Sequence, residues 1–144
     1  MQRFLALMKQ RAGVVIYCKS SGELLLIHRK KDNCEYLVVP GGGVKSGESF
    51  EQAAKRELLE ELNFKTSNLR SFCNILLTNS IEKYYLAHVQ DVFHPIMHGS
   101  EALRSNENNI YTPVWIHKSN LSNLQISPKQ LKDNLIDYFN SEPS

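Results

Sequence analysis

Residues 42–64 read GGVKSGESFEQAAKRELLEELNF, and this stretch decides the fold. Ser49 followed by Gln52 three residues later is the pattern of a capping box, and from there to Leu62 the residues are good helix formers with no Gly or Pro. Asn63 tolerates the left-handed conformation that ends a helix. At about 100° per residue, Ala54, Leu58 and Leu62 form an apolar stripe, with Phe50, Ala53, Glu57, Glu60 and Glu61 on the adjoining arc. Glu57, Glu60 and Glu61 stand at i, i+3 and i+4 and therefore share a face. Carboxylates held that close oppose one another's ionisation, and a multivalent cation is the natural way to keep them charged. The segment reads as a divalent-metal site lining a cleft against a sheet.

The preceding residues sharpen that reading. Gly41, Gly42, Gly43 and Gly47 make a permissive approach to the helix. Arg56, four residues before Glu60, can pair with Glu60 or with Glu48 and orient carboxylates without touching a substrate. Glu48 itself, just before the cap, serves either the helix dipole or a metal.

Gly42, Glu48, Arg56, Glu57, Leu58, Glu60, Glu61 and Phe64 fall at the spacing of the Nudix hydrolase signature, which this segment resembles. That signature runs Gly, five residues, Glu, seven residues, then Arg-Glu-apolar-any-Glu-Glu-any-Gly-apolar. Only Asn63 departs, standing where the family has Gly. The resemblance is to MutT-like nucleoside diphosphate-X pyrophosphohydrolases. It implies a Nudix-like α/β/α sandwich in which the signature forms a loop-helix-loop. It also implies an enzyme acting on phosphorus anhydrides, with Mg2+ as cofactor and Mn2+ able to substitute. Glu57, Glu60 and Glu61 would bind the metal with the Gly41 carbonyl, and Arg56 would support them. In different members of the family the water-activating acid matches Glu57 or Glu61 or comes from a later loop, so the resemblance leaves Glu57, Glu61, Glu101 and Glu107 as candidates for the base. The family counterpart of Arg29 often reaches a substrate phosphate, so Arg29 is read as substrate-binding in preference to a solvated strand-end cation.

Outside the signature, residues 12–17 and 23–29 are β-rich runs joined through Ser20, Ser21 and Gly22, a hairpin pattern. Residues 30–35 read as a polar loop, and 36–39 as a short strand ended by Pro40 and the glycines, which read as catalytic loop. Residues 69–77 and 82–92 look like a second antiparallel pair around Asn79, 111–116 like a further strand, and 129–139 like a closing helix. Residues 94–109 form the longest irregular stretch. The pattern is α+β, a mixed sheet between helices, and residues 1–144 suffice for one domain.

Composition excludes several functions. A formal charge of +2 with scattered cations argues against duplex nucleic acid. The apolar run at residues 4–8 is too short to span a bilayer, so no membrane role is expected. Cys18, Cys34 and Cys73 are odd in number and lack metal-ligand spacing, which suits reduced thiols in a cytoplasm. The five histidines show no paired ligand spacing. Trp115 reads as core or as a stacking partner for a base, and of the adjacent Tyr84 and Tyr85 at most one can face a cleft.

The expected activity is hydrolysis of a diphosphate linkage in a small nucleotide. Subgroup markers for ADP-ribose or dinucleoside polyphosphates are missing: Asn79, Ser80 and Ile81 stand where one would fall, and Tyr84 and Tyr85 arrive late for the other. Two alternatives are removal of pyrophosphate from an RNA 5′ end and a non-catalytic nucleotide sensor. Homodimer assembly is compatible with the sequence.

Overall fold

The computed structural model describes residues 8–95 and 109–141. Its elements are β1 (Lys9–Cys18), β2 (Glu23–Lys31), β3 (Cys34–Val38), β4 (Gly41–Gly43), α1 (Phe50–Leu62), β5 (Arg70–Leu76), β6 (Ser80–Val89), β7 (Asn109–His117), a 3-10 turn (Lys118–Asn123) and α2 (Lys129–Asn140). The strands form one seven-stranded mixed sheet.

β1 is its axis. On one edge it runs parallel to β6, from Lys9 opposite Ser80 to Cys18 opposite Val89. The other edge is divided: Arg11, Ala12 and Gly13 pair with β4, and Ile16, Tyr17 and Cys18 with β2. β2 carries β7 along its far edge and β3 beyond β1 on the near one, while β5 closes the sheet outside β6. β7 pairs only with β2 among the described residues, so Pro113 sits on an edge, where its missing N–H breaks no ladder.

Alternation along the strands builds two cores. Val15, Tyr17, Leu24, Leu26, Tyr84 and Leu86 meet Leu131, Leu135 and Phe139 of α2. Ala12, Val14, Ile16, Leu25, Tyr85 and Ala87 meet Ala53, Ala54, Leu58 and Leu62 of α1. The result is the expected α/β/α layering, and Tyr84 and Tyr85 do face opposite sides. β1 is covered on both faces, which is why Val14, Val15 and Ile16 read as an unbroken apolar run.

Three local features differ from expectation. The polar loop at 30–35 is a two-residue hairpin turn in which Asp32 and Asn33 both take positive φ, 49° and 69°, as a right-twisted hairpin requires. The glycines after Pro40 form strand β4. Gly41 lies so close to β1 that an added Cβ would press into the Ala12 carbonyl oxygen and stand 2.7 Å from the Gly13 Cα. Finally, Ala53 and Glu61 join the buried side of α1, widening its inward face. Among the described residues no helix is long and apolar enough to cross a membrane.

Candidate metal centre on the carboxylate helix

α1 begins as the sequence implies. Ser49 Oγ accepts from the Gln52 N–H at 3.1 Å, and Gln52 Oε1 accepts from the Ser49 N–H at 2.9 Å. At the other end Asn63 adopts φ 52° and ψ 33°, the left-handed geometry a glycine would take there. Leu58, fully buried, fixes the helix on the sheet, so the polar arc is presented to the β4 side.

Arg56 organises that arc. Its Nε and Nη2 fork onto Glu48 at 2.7 and 2.9 Å, Nη1 reaches Glu57 Oε1 at 2.8 Å and Glu60 Oε2 at 3.2 Å, and Nη2 also donates to the Gly43 carbonyl at 2.9 Å. The sequence offers Glu48 or Glu60 as its partner; the structure gives it both, and Glu57 besides. Glu48 accepts a further bond from the Lys45 N–H at 2.9 Å. The Arg56 fork, helped by that amide, draws the Glu48 carboxyl down to about 2. With its oxygens so engaged, Glu48 acts as a strut between loop and helix.

The three glutamates differ in setting. Glu61 is buried, at 4% exposure, whereas the Glu60 side chain is half exposed, at 51%. The Glu57 side chain, at 15%, folds over Gly42, where a Cβ would stand 2.5 Å from its Oε1. Among the described residues no three His, Cys, Asp or Glu side chains are gathered tightly enough to cage a metal as placed. The donor set nonetheless suits a hard divalent cation: oxygens of Glu57 and Glu60 already converge on a single cationic group, Arg56 Nη1. A bound cation would take these oxygens in place of Nη1, and the separate Nε and Nη2 bonds to Glu48 would still anchor Arg56.

Arg29 lies in β2 with Tyr36 and Tyr111 as its register partners on the two neighbouring strands. Its guanidinium sits 4.9 Å from the Tyr111 ring centroid and 5.8 Å from that of Tyr36, and its Nε is buried with no hydrogen-bond partner among the described residues. Alternation from Leu25, which packs under α1, puts Arg29 on the helix α1 side of the sheet. Sequence reasoning misses the flanking tyrosines. Tyr36 is accessible from the β2–β3 hairpin register, but Tyr111 has no local signal.

Other candidates fall away. Trp115 Nε1 donates to the Phe93 carbonyl at 2.6 Å and its ring meets Phe93 edge-on, so it supports the core. Cys18 is buried, Cys34 exposed and Cys73 half-buried, all three as free thiols. Glu101, Glu107 and His98, like the apolar run at 4–7, lie outside the described residues.

The NUDIX domain profile matches residues 8–133. The chain belongs to the NUDIX family. A curated relative, the RNA pyrophosphohydrolase of Wolbachia pipientis subsp. Culex pipiens (strain wPip), is 42% identical over 50 residues, 35% of this chain and 30% of that protein. The match thus spans under a third of the relative's length. Among solved structures, a MutT from work on Aliivibrio salmonicida and Vibrio cholerae superposes with a TM-score of 0.67 at 21% identity, covering 95% of this chain and 98% of that one. A C. elegans Ap4A hydrolase gives 0.66 at 24% identity, with 89% and 94% covered. At such identities the likeness is one of fold. The NUDIX fold accounts for the whole arrangement seen here: a glycine strand docked on β1, the carboxylate helix above it, and a mixed sheet continuing beneath.

Proposed function

We propose that this NUDIX protein, acting as one domain over residues 1–144, hydrolyses a diphosphate linkage in a small nucleotide with Mg2+, which Mn2+ can replace. The observation that carries this reading is the convergence of Glu60 and of Glu57, which folds over Gly42, on the single Arg56 Nη1, with buried Glu61 on the same helix. Glu57, Glu60, Glu61 and the Gly41 carbonyl would hold the ion, which supplies charge neutralisation and a more acidic water. Glu57 or Glu61 takes the proton from the attacking water, because both are held on a rigid helix. Arg56 keeps the carboxylates in place from Glu48, and Arg29, stiffened by its two tyrosines, binds a phosphate of the substrate.

A 5′-triphosphorylated RNA is the second candidate substrate, favoured by the 42% match to an RNA pyrophosphohydrolase and disfavoured by the low charge of +2. A sensor role has less support, since all the signature carboxylates are retained. Three free thiols accord with a reducing cytoplasm, and neither duplex nucleic acid nor membrane enters this reading.

The test is a panel of nucleoside triphosphates, nucleoside diphosphate derivatives and 5′-triphosphorylated RNA, incubated with Mg2+ or with chelator. Release of a phosphate product from one class with Mg2+ and none in chelator is the expected result. Turnover undiminished in exhaustive chelator, or none on any substrate, would overturn the proposal.

A further inference from the structure

A second polar cluster lies on the α2 side of the sheet, across β1 from the glycine strand. Glu82 of β6 is only 9% exposed, and it accepts hydrogen bonds from the hydroxyl of Tyr84 and, at 3.3 Å, from that of Ser80. Tyr84 is buried, and that burial, reinforced by the Glu82 hydrogen bond, pushes its phenol well above the usual range, so it remains a donor. Arg11 of β1 stands opposite Glu82 in the register, near enough for its charge to bear on the Tyr84 phenol, and its Nη2 donates to the Val39 carbonyl at 3.3 Å.

This cluster touches the backbone that leads into the metal centre. The Tyr84 ring crosses β1 at Gly13, where an added Cβ would come within 2.6 Å of the ring and 3.0 Å of Val39 Cγ2. Val39 is followed by Pro40, whose carbonyl accepts from the Val14 N–H at 2.9 Å, and by Gly41, paired with Gly13. The backbone of residues 39–41 is therefore gripped by β1 along its edge and by Arg11 at the Val39 carbonyl, while the Val39 side chain shares one apolar cluster with Tyr84. A buried carboxylate is a poor way to gain stability, since an apolar group of similar size serves as well or better. Glu82 is better explained by what its partners hold.

We propose that Arg11, Glu82 and Tyr84 are positioning residues that fix the backbone of residues 39–41, and with it the Gly41 carbonyl, so setting the strength with which the site takes a divalent cation. This rests on the assignment of Gly41 as a ligand made above.

The experiment titrates Mn2+ into substrate-free protein and, in parallel, measures hydrogen exchange at the Val14 amide in metal-free protein. Tyr84→Phe and Arg11→Met should each weaken Mn2+ binding roughly tenfold, as loss of a ligand's supporting hydrogen bonds does, and should speed exchange at Val14. Glu82→Gln, which keeps an acceptor for Tyr84, should fall between these and wild type. Leu135→Ala, a cavity in the α2-side core away from the cluster, is the control: it should lower the melting temperature and leave Mn2+ affinity as it was. Wild-type affinity in both Tyr84→Phe and Arg11→Met overturns the positioning role, as does an equal loss in Leu135→Ala. Wild-type protein that takes up no Mn2+ overturns the metal-site assignment itself.

Discussion

Glu57 lies directly over Gly42, its Oε1 2.5 Å from where a Cβ at that position would stand. The far end of Glu57 is flexible, and Gly42 carries no positive φ, so any side chain here displaces the carboxylate before it disturbs the fold. Gly42→Ala should therefore keep a near-normal melting temperature while Mn2+ affinity and turnover both fall. Calorimetry beside a metal titration checks this, and a normal titration would show that Glu57 is not placed by Gly42.

Neutralising the helix carboxylates one at a time should rank them. Gln at Glu57 or Glu61 is expected to lower the rate by roughly 10²–10⁴-fold through loss of a ligand or base. Glu60, half exposed at the rim, should give the smallest loss, and its effect on stability should stay within about 1 kcal/mol. Steady-state rates at saturating Mg2+ test the order, which near-wild-type values for all three would refute.

The fork between Arg56 and Glu48 predicts an acid dependence. Arg56 holds the Glu48 carboxyl at about 2 against an ordinary 4.5. A depressed carboxylate stabilises the fold fully above its unfolded value, and the gain disappears as pH falls through the folded one. Glu48→Gln lacks this dependence, so the difference in melting temperature between wild type and variant should be constant above about 4.5 and shrink toward zero near 2. A constant gap down to the lowest pH would mean that the fork contributes nothing.

The identity of the base separates two outcomes. If it sits on α1, Glu101→Gln and Glu107→Gln leave the maximal rate close to wild type, while Glu57→Gln or Glu61→Gln stays defective at saturating metal. We expect this pattern because those acids are held on a rigid element. A large rate loss in either loop variant, with metal affinity intact, would move the base to the loop.

Local chemistry makes the carboxylate helix legible in the amino-acid sequence. Its cap is Ser49 with Gln52, its end is Asn63, and its candidate metal-binding acids all lie within one 13-residue element. Pairings that span the chain are not legible in the same way. Three glycines after a proline signal a turn, and only the proximity of β1 makes Gly41–Gly43 a strand. Arg56 and Glu57 are adjacent and do not face each other on a helix, so their 2.8 Å bond becomes visible only once Glu57 folds back over Gly42. Arg29 is readable as a cation, but the position of Tyr111 beside it depends on the register of β7. Glu82 looks like an ordinary polar residue of an alternating strand, and its burial follows from a parallel neighbour far away in sequence.

That parallel neighbour also imposes a schedule on synthesis. β1 leaves the ribosome before β6, and its hairpin partner and the glycine strand can pair along one of its edges, with α1 packed on its face, while the other edge waits for Ser80–Val89. Until β6 arrives, an apolar strand stands with an unsatisfied edge, open to pairing with another nascent chain. Joining segments so far apart is slow because the loop between them must close first. The interval when the carboxylate helix already exists above an unfinished floor is thus the one in which this chain is most open to aggregation.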